Sequence, residues 1–197
     1  MLLGAIGLAG SNFFYYTCIK YITVSTGIMI QYTTPFFVML YAVIMRHEKY
    51  HHFKLLFLGI AFAACFFAIS GGDISYFSIN AVGVLLAISS AFTWTFYNIY
   101  HKSISKNYNS WTELLYILLG ATLLWFIINP GIFVELKYYP YDANLILFGF
   151  AMLSVLIPLA FYNAGLRYLK ASQATGIGLL EPVMVVIFAY IIVGETM

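Results

Sequence analysis

Ser172–Glu195 reads SQATGIGLLEPVMVVIFAYIIVGE, an apolar run interrupted near its middle by Glu181 and, directly after it, Pro182. At about 1.5 Å per residue, Ser172 to Val193 rises about 33 Å, enough for a hydrocarbon core about 30 Å thick. That length predicts a transmembrane helix. A carboxylate at mid-depth costs at least about 2.5 kcal/mol even on the lenient insertion scale, so Glu181 is expected to face protein or water rather than lipid. Pro182 has no amide hydrogen, and its ring crowds the carbonyl four residues back, that of Gly178. A kink and a freed acceptor are therefore expected beside the carboxyl group.

Composition extends this reading to the whole chain. The residues are 63% hydrophobic and 8% charged, with a mean hydropathy of +0.92, against about 25% charged in soluble proteins. An all-α integral membrane protein is expected. The nine Lys and Arg are scattered through short loops, which excludes the basic stripe of a nucleic-acid-binding protein. The N-terminal stretch MLLGAIGLAGSNFFYY has no basic region and no A-x-A site, so Met1 is read as opening a span rather than a removable signal peptide. Cys18 and Cys65 lie in apolar runs without metal-ligand spacing and read as small core residues. No cofactor and no metal are expected.

Seven hydrophobic segments follow one another: Met1–Ile19, Val24–Met45, Phe53–Ser70, Asn80–Tyr100, Trp111–Ile128, Asn144–Tyr168 and Ser172–Val193. All are continuous and longer than the alternating runs of about ten residues that mark a membrane barrel, so helices are predicted throughout. The second, fourth and sixth connections hold Arg46, Lys49, Lys54, Lys102, Lys106, Arg167 and Lys170, whereas the others hold only Lys20 and Lys137. By the positive-inside rule the first group is cytoplasmic, which places Met1 inside and Glu195 outside. His47, His51, His52 and His101 fall on the same side and read as interfacial loop residues.

Sliding the chain on itself by 147 positions lays Phe14–Tyr50 on Phe161–Met197 without a gap, with ten identities in 37 pairs. Tyr15/Tyr162, Tyr21/Tyr168, Ser25/Ser172, Pro35/Pro182 and Glu48/Glu195 are among them. Apolar composition alone would not align Tyr, Ser, Pro and Glu landmarks together. Five spans separate the second segment from the seventh, an odd number, so the copies are expected to cross the membrane in opposite directions. Inverted repeats of this kind characterise secondary transporters, whose substrate sites lie near mid-membrane between the copies. The same offset predicts a chain truncated at both ends, lacking two spans before Met1 and one after Met197.

These residues resemble the EamA family of the drug/metabolite transporter superfamily. The resemblance rests on GVLLAISSAFTWTFYNIYHK (Gly83–Lys102), on the paired Tyr, loop, Ser, helix, Pro, Glu blocks, and on LLEPVMVVIFAYIIVGE (Leu179–Glu195). It implies a ten-helix carrier built from two five-helix inverted repeats. Residues 1–70 would supply the last three helices of the first repeat, 71–79 the inter-repeat loop, and 80–197 the first four helices of the second. It also implies a secondary transporter, an exporter of small metabolites, amino-acid-like compounds or drugs working by alternating access across the cytoplasmic membrane. The alternative is an incomplete fragment without activity of its own, or a subunit that needs a partner for the missing helices. No H-E-x-x-H, no paired mid-membrane acids and no Ser/His couple favour an intramembrane enzyme. The partners so implied are the lipid bilayer, a small-molecule substrate and a coupling proton or ion, with homo- and hetero-oligomers both left open.

Glu181, as the one mid-span acid, is the first candidate for substrate binding or proton coupling, against a structural carboxyl bonded across the Pro182 kink. Gln31 and Thr34 precede Pro35 and form a polar patch at the symmetric depth, with interhelical hydrogen bonds as the structural alternative. Trp94, Tyr97, Asn98 and His101 share a helical face, as do Asn12, Tyr15 and Tyr16. Trp94, Asn98, Tyr15, Tyr162 and Asn163 are candidate cavity residues, against aromatic packing. Pro158, the third helix-interior proline, is expected to bend its helix and free the Ser154 carbonyl. Ala171/Thr175 and Ala174/Gly178 are small pairs at four-residue spacing that allow a neighbouring helix to approach.

Overall fold

The computed structural model describes residues 1–45, 49, 51–77, 79–131, 138–188 and 191, with the backbone alone for Tyr76 and Val186. Arg46, His47, Glu48, Lys137, Val193 and Glu195, used above, lie outside the described residues. Among the described residues there is no strand. Helix α1 covers residues 3–18, a π-helical Leu3–Ala9 running into an α-helical Gly10–Cys18. Then come α2 (Val24–Gln31), α3 (Thr34–Ile44), α4 (His52–Ser70), α5 (Ala81–Ile104) and α6 (Ser110–Ile128). Helix α7 (Tyr141–Tyr168) contains a π-helical turn at Met152–Leu156, and α8 (Ala171–Gly178) and α9 (Glu181–Phe188) follow.

All seven predicted segments are thus helical over most of their described residues. Five of them, α2 with α3, α4, α5, α6 and α7, are each long and apolar enough to cross a membrane. The chain is an all-α, multi-pass membrane protein. Short polar side chains start the helices: Asn80 Oδ1 accepts from the amides of Val82 and Gly83 at 3.0 and 3.2 Å. Asn109 does the same for Trp111, and Thr23 for Thr26. Each satisfies an amide that the first turn leaves without a partner. Gly71, at φ 59°, closes α4 in the left-handed conformation that glycine tolerates best.

In lipid, apolar side chains gain little by leaving the bilayer, so contact quality and small residues decide which helices touch. Helices α1, α5, α6 and α7 share a core of Leu3, Leu8, Ala9, Tyr97, Leu114, Ile117, Ala121 and Leu159. The α1–α6 contact is backbone on backbone: a Cβ on Gly120 would stand 2.1 Å from the Met1 carbonyl oxygen. A second cluster, Met29, Met39, Leu58, Cys65 and Leu179, holds α4 against α2, α3 and the end of α8. Cys18 and Cys65 are both free thiols and fully buried, as the sequence predicts.

Kinks are predicted at Pro35 and Pro182, and both helices are disturbed there, although Val24–Ile44 still forms one membrane-length run. A two-residue turn, Tyr32–Thr33, separates α2 from α3, and another, Leu179–Leu180, separates α8 from α9. Each proline is the second residue of the new helix. The physical reason is that the first turn of a helix needs no donor at that position, so a fresh start removes the conflict that a continuous helix would keep. At Pro158 the chain finds a different solution. The helix turns π just before the ring, and the Ile157 amide reaches the Met152 carbonyl.

These irregularities recur at the sequence offset. Helices α2 and α8 begin at Val24 and Ala171 and end at Gln31 and Gly178. Their continuations begin at Thr34 and Glu181, and the α-helical parts of α1 and α7 begin at Gly10 and Ile157. All four pairs lie 147 residues apart.

Candidate functional site

The paired helix breaks border a cavity of about 770 Å³. Its wall is built from α1 (Leu8, Ser11, Asn12, Tyr16), α2 and α3 (Gln31, Thr34, Pro35), and Trp94 of α5. Ser154, Pro158 and Tyr162 of α7 and Thr175, Gly178 and Glu181 of α8 and α9 complete it. Irregular backbone is tolerated at membrane depth where it is buried in protein or lines a cavity, and both breaks meet that condition.

Glu181 opens α9 and is exposed to this space, with the Tyr32 hydroxyl close enough to interact with its carboxyl group. Its counterpart shows what the position does. Pro35 cannot donate to the Gln31 carbonyl, and Thr34 Oγ1 donates to that oxygen instead at 2.7 Å. In the second copy Glu181 stands where Thr34 does, three residues after Gly178, whose carbonyl Pro182 cannot serve. A carboxylate only accepts hydrogen bonds, whereas a protonated carboxyl group donates one.

Gln31 both lines the cavity and ties three helices together. Its Nε2 donates to Ser11 Oγ at 3.3 Å and to Ser90 Oγ at 3.2 Å. The Ser11 hydroxyl donates to the Ser90 carbonyl at 3.2 Å, and the Ser90 hydroxyl to the Ser11 carbonyl at 3.0 Å. Trp94 and Tyr162 present stacked rings 6.0 Å apart. Three other candidates stand outside the wall. Asn98 is fully buried, accepts from the Tyr162 hydroxyl and donates to the Trp94 carbonyl. Asn163 is equally buried and accepts from the Tyr97 hydroxyl at 2.6 Å. Tyr15 packs edge-on against Tyr16 and beside Gly27. Asn98 therefore holds the cavity-facing Tyr162 ring, Asn163 holds Tyr97, which stacks on Trp94, and Pro182 is buried without reaching the cavity.

Sequence reasoning passed over one buried pair. Trp94, Tyr97 and His101 stack along α5, with centroids 4.7 and 5.8 Å apart. The column ends where His101 Nε2 meets Glu113 Oε2 of α6 at 3.5 Å, both side chains all but inaccessible. Spacing puts His101 on one helical face with Trp94 and Tyr97, as read from the sequence, but gives no sign that Glu113 covers it.

The family model of the EamA-like transporter family matches residues 1–70 and 81–197. The chain belongs to the EamA-like transporter family. A crystal structure described only as that of a protein is similar to it at a TM-score of 0.79 and 16% identity. The match covers 96% of this chain and 66% of that one, so the chain spans 66% of the length of the solved structure it matches. At that identity the likeness is one of fold. No curated protein matches the chain.

Proposed function

We propose that the protein is a secondary transporter of small compounds, exporting metabolites, amino-acid-like molecules or drugs by alternating access through the cavity between the two broken helices. The observation that carries this reading is the cavity itself, with a lone carboxyl group at one break and a hydroxyl-capped break opposite. It supports a solute bound near mid-membrane between inverted copies, with residues 1–70 and 80–197 contributing to the two halves. The loop charges support an orientation with Met1 inside. The reading is one of transport rather than catalysis.

Glu181 is the coupling group in this scheme. Ionised, it binds a cationic group of the solute or interacts with the Tyr32 hydroxyl; protonated, it acquires the donor that Thr34 uses in the first copy. Gln31, Thr34, Trp94 and Tyr162 shape the remainder of the site. Export of a panel of amino-acid-like compounds and cationic drugs from cells expressing the protein, compared with Glu181→Gln, tests this. Loss of most export together with a flattened pH dependence is expected. Unchanged export and pH dependence would overturn the assignment.

A further inference from the structure

Five of the polar side chains that wall the central cavity have already spent their hydrogens on the protein. Ser11 donates to the Ser90 carbonyl, Thr34 to the Gln31 carbonyl, and Thr175 to the Ala171 carbonyl at 3.0 Å. Tyr162 donates to Asn98, and both amide hydrogens of Gln31 go to serine hydroxyls. What Gln31 still offers a solute is its side-chain carbonyl oxygen, an acceptor. It stands at the end of α2, and Glu181, whose ionised carboxyl group only accepts, opens α9 at the other break.

Charge points the same way. All nine Lys and Arg fall in connections or at helix ends, and none lies in the stretches Leu8–Tyr16, Gln31–Pro35, Ser154–Tyr162 and Thr175–Met184 that supply most of the wall. Glu181 is the one acid within them. Asn12, Tyr16, Trp94 and Ser154 add neutral donors. These supply hydrogen bonds but no opposite charge, and a carboxylate taken out of water beside Glu181 needs both. The helix starts at Thr34 and Glu181, which would favour an anion, are matched by the ends of α2 and α8 at Gln31 and Gly178. Their partial charges therefore offset one another.

A primary ammonium group suits this wall, because it brings three N–H donors to acceptors and a positive charge to a carboxylate. The remaining wall is apolar, with Leu8, Val155, Leu159 and Met184 beside the Trp94 and Tyr162 rings. A hydrocarbon or aromatic body fits against such a surface. Within the transport reading above, on which this rests, we infer that the cavity takes a primary amine with an apolar body and refuses the amino acid of the same side chain at its carboxylate.

Isothermal titration calorimetry on the purified chain tests this with phenethylamine, phenylalanine and phenylalaninol. Phenylalaninol keeps the amine and nearly the size of the amino acid without its negative charge, so it separates charge from bulk. The two amines are expected to bind alike, and phenylalanine about a hundredfold more weakly, as a like-charge contact dictates. Glu181→Gln should remove most of that difference. Phenylalanine bound as tightly as phenethylamine, phenylalaninol as weak as phenylalanine, or no binding of either amine would each overturn the amine selection. The three compounds on the unchanged protein decide this even where Glu181→Gln fails to fold. Export of phenethylamine from cells expressing the protein judges transport separately. Amine-selective binding without export leaves the selection standing and overturns the transport reading, whereas export of phenylalanine at the rate of phenethylamine does the reverse.

Discussion

Glu181 is legible in sequence because a lone carboxyl group in an apolar run has few places to go. Glu113 is not, because an acid in the first turn of a helix is ordinary and sequence does not say which neighbour covers it. The structure covers it with α5, and the 3.5 Å contact with His101 then matters for stability. Removing one member of a buried polar pair leaves the other without a polar neighbour, a loss of about 1–3 kcal/mol, whereas replacing both with apolar groups of similar shape can be nearly neutral. His101→Leu is therefore expected to lower the melting temperature of the purified protein markedly, and His101→Leu/Glu113→Leu to recover most of that loss. Additive losses in the double variant would show that the two residues act independently. The same limit explains why Tyr15, Asn98 and Asn163 read as candidates alongside Trp94 and Tyr162. Helical periodicity groups residues on a face but does not separate the ring that borders a cavity from the amide that holds it.

At the scale of elements, the seven hydrophobic runs and their order follow from length and hydropathy, and the repeat follows from the identities between its copies. The breaks do not, because a proline in an apolar run predicts a disturbance without saying whether the helix bends, turns π or stops. The chain shows two of these outcomes, a stop at Pro35 and Pro182 and a π turn before Pro158. Pro182→Ala restores an amide opposite the Gly178 carbonyl. It is expected to stabilise the fold by about 1 kcal/mol, the net worth of one hydrogen bond, while reducing export as α8 and α9 straighten into one helix. A melting curve and an export assay on the same variant check the two halves of that statement. Small residues show the reverse case. The pairs noted on the seventh segment do include buried Ala174 and Thr175, but the tightest approach lies between α1 and α6, at Gly4 and Gly120. Gly120→Ala forces the Met1 carbonyl away and is expected to cost about 1–3 kcal/mol through overpacking, read as a lower melting temperature. An unchanged melting curve would mean that α1 yields freely.

The whole molecule is organised by direction as much as by packing. Two copies related by 147 residues share their breaks and helix starts, and the proposed transport through the cavity requires them to cross the bilayer in opposite senses. Orientation therefore links the loop charges and the repeat in a single measurement. Ile79 and Asn107 bracket α5 on either side and are both exposed, while Cys18 and Cys65 are fully buried and offer little competition to a thiol reagent. A membrane-impermeant maleimide is expected to label Ile79→Cys in intact cells and Asn107→Cys only after permeabilisation. Reversed labelling would invert the orientation and leave the cavity reading intact. Labelling of both positions from one side would mean that α5 does not cross the membrane, and opposed copies around a central cavity could not then form.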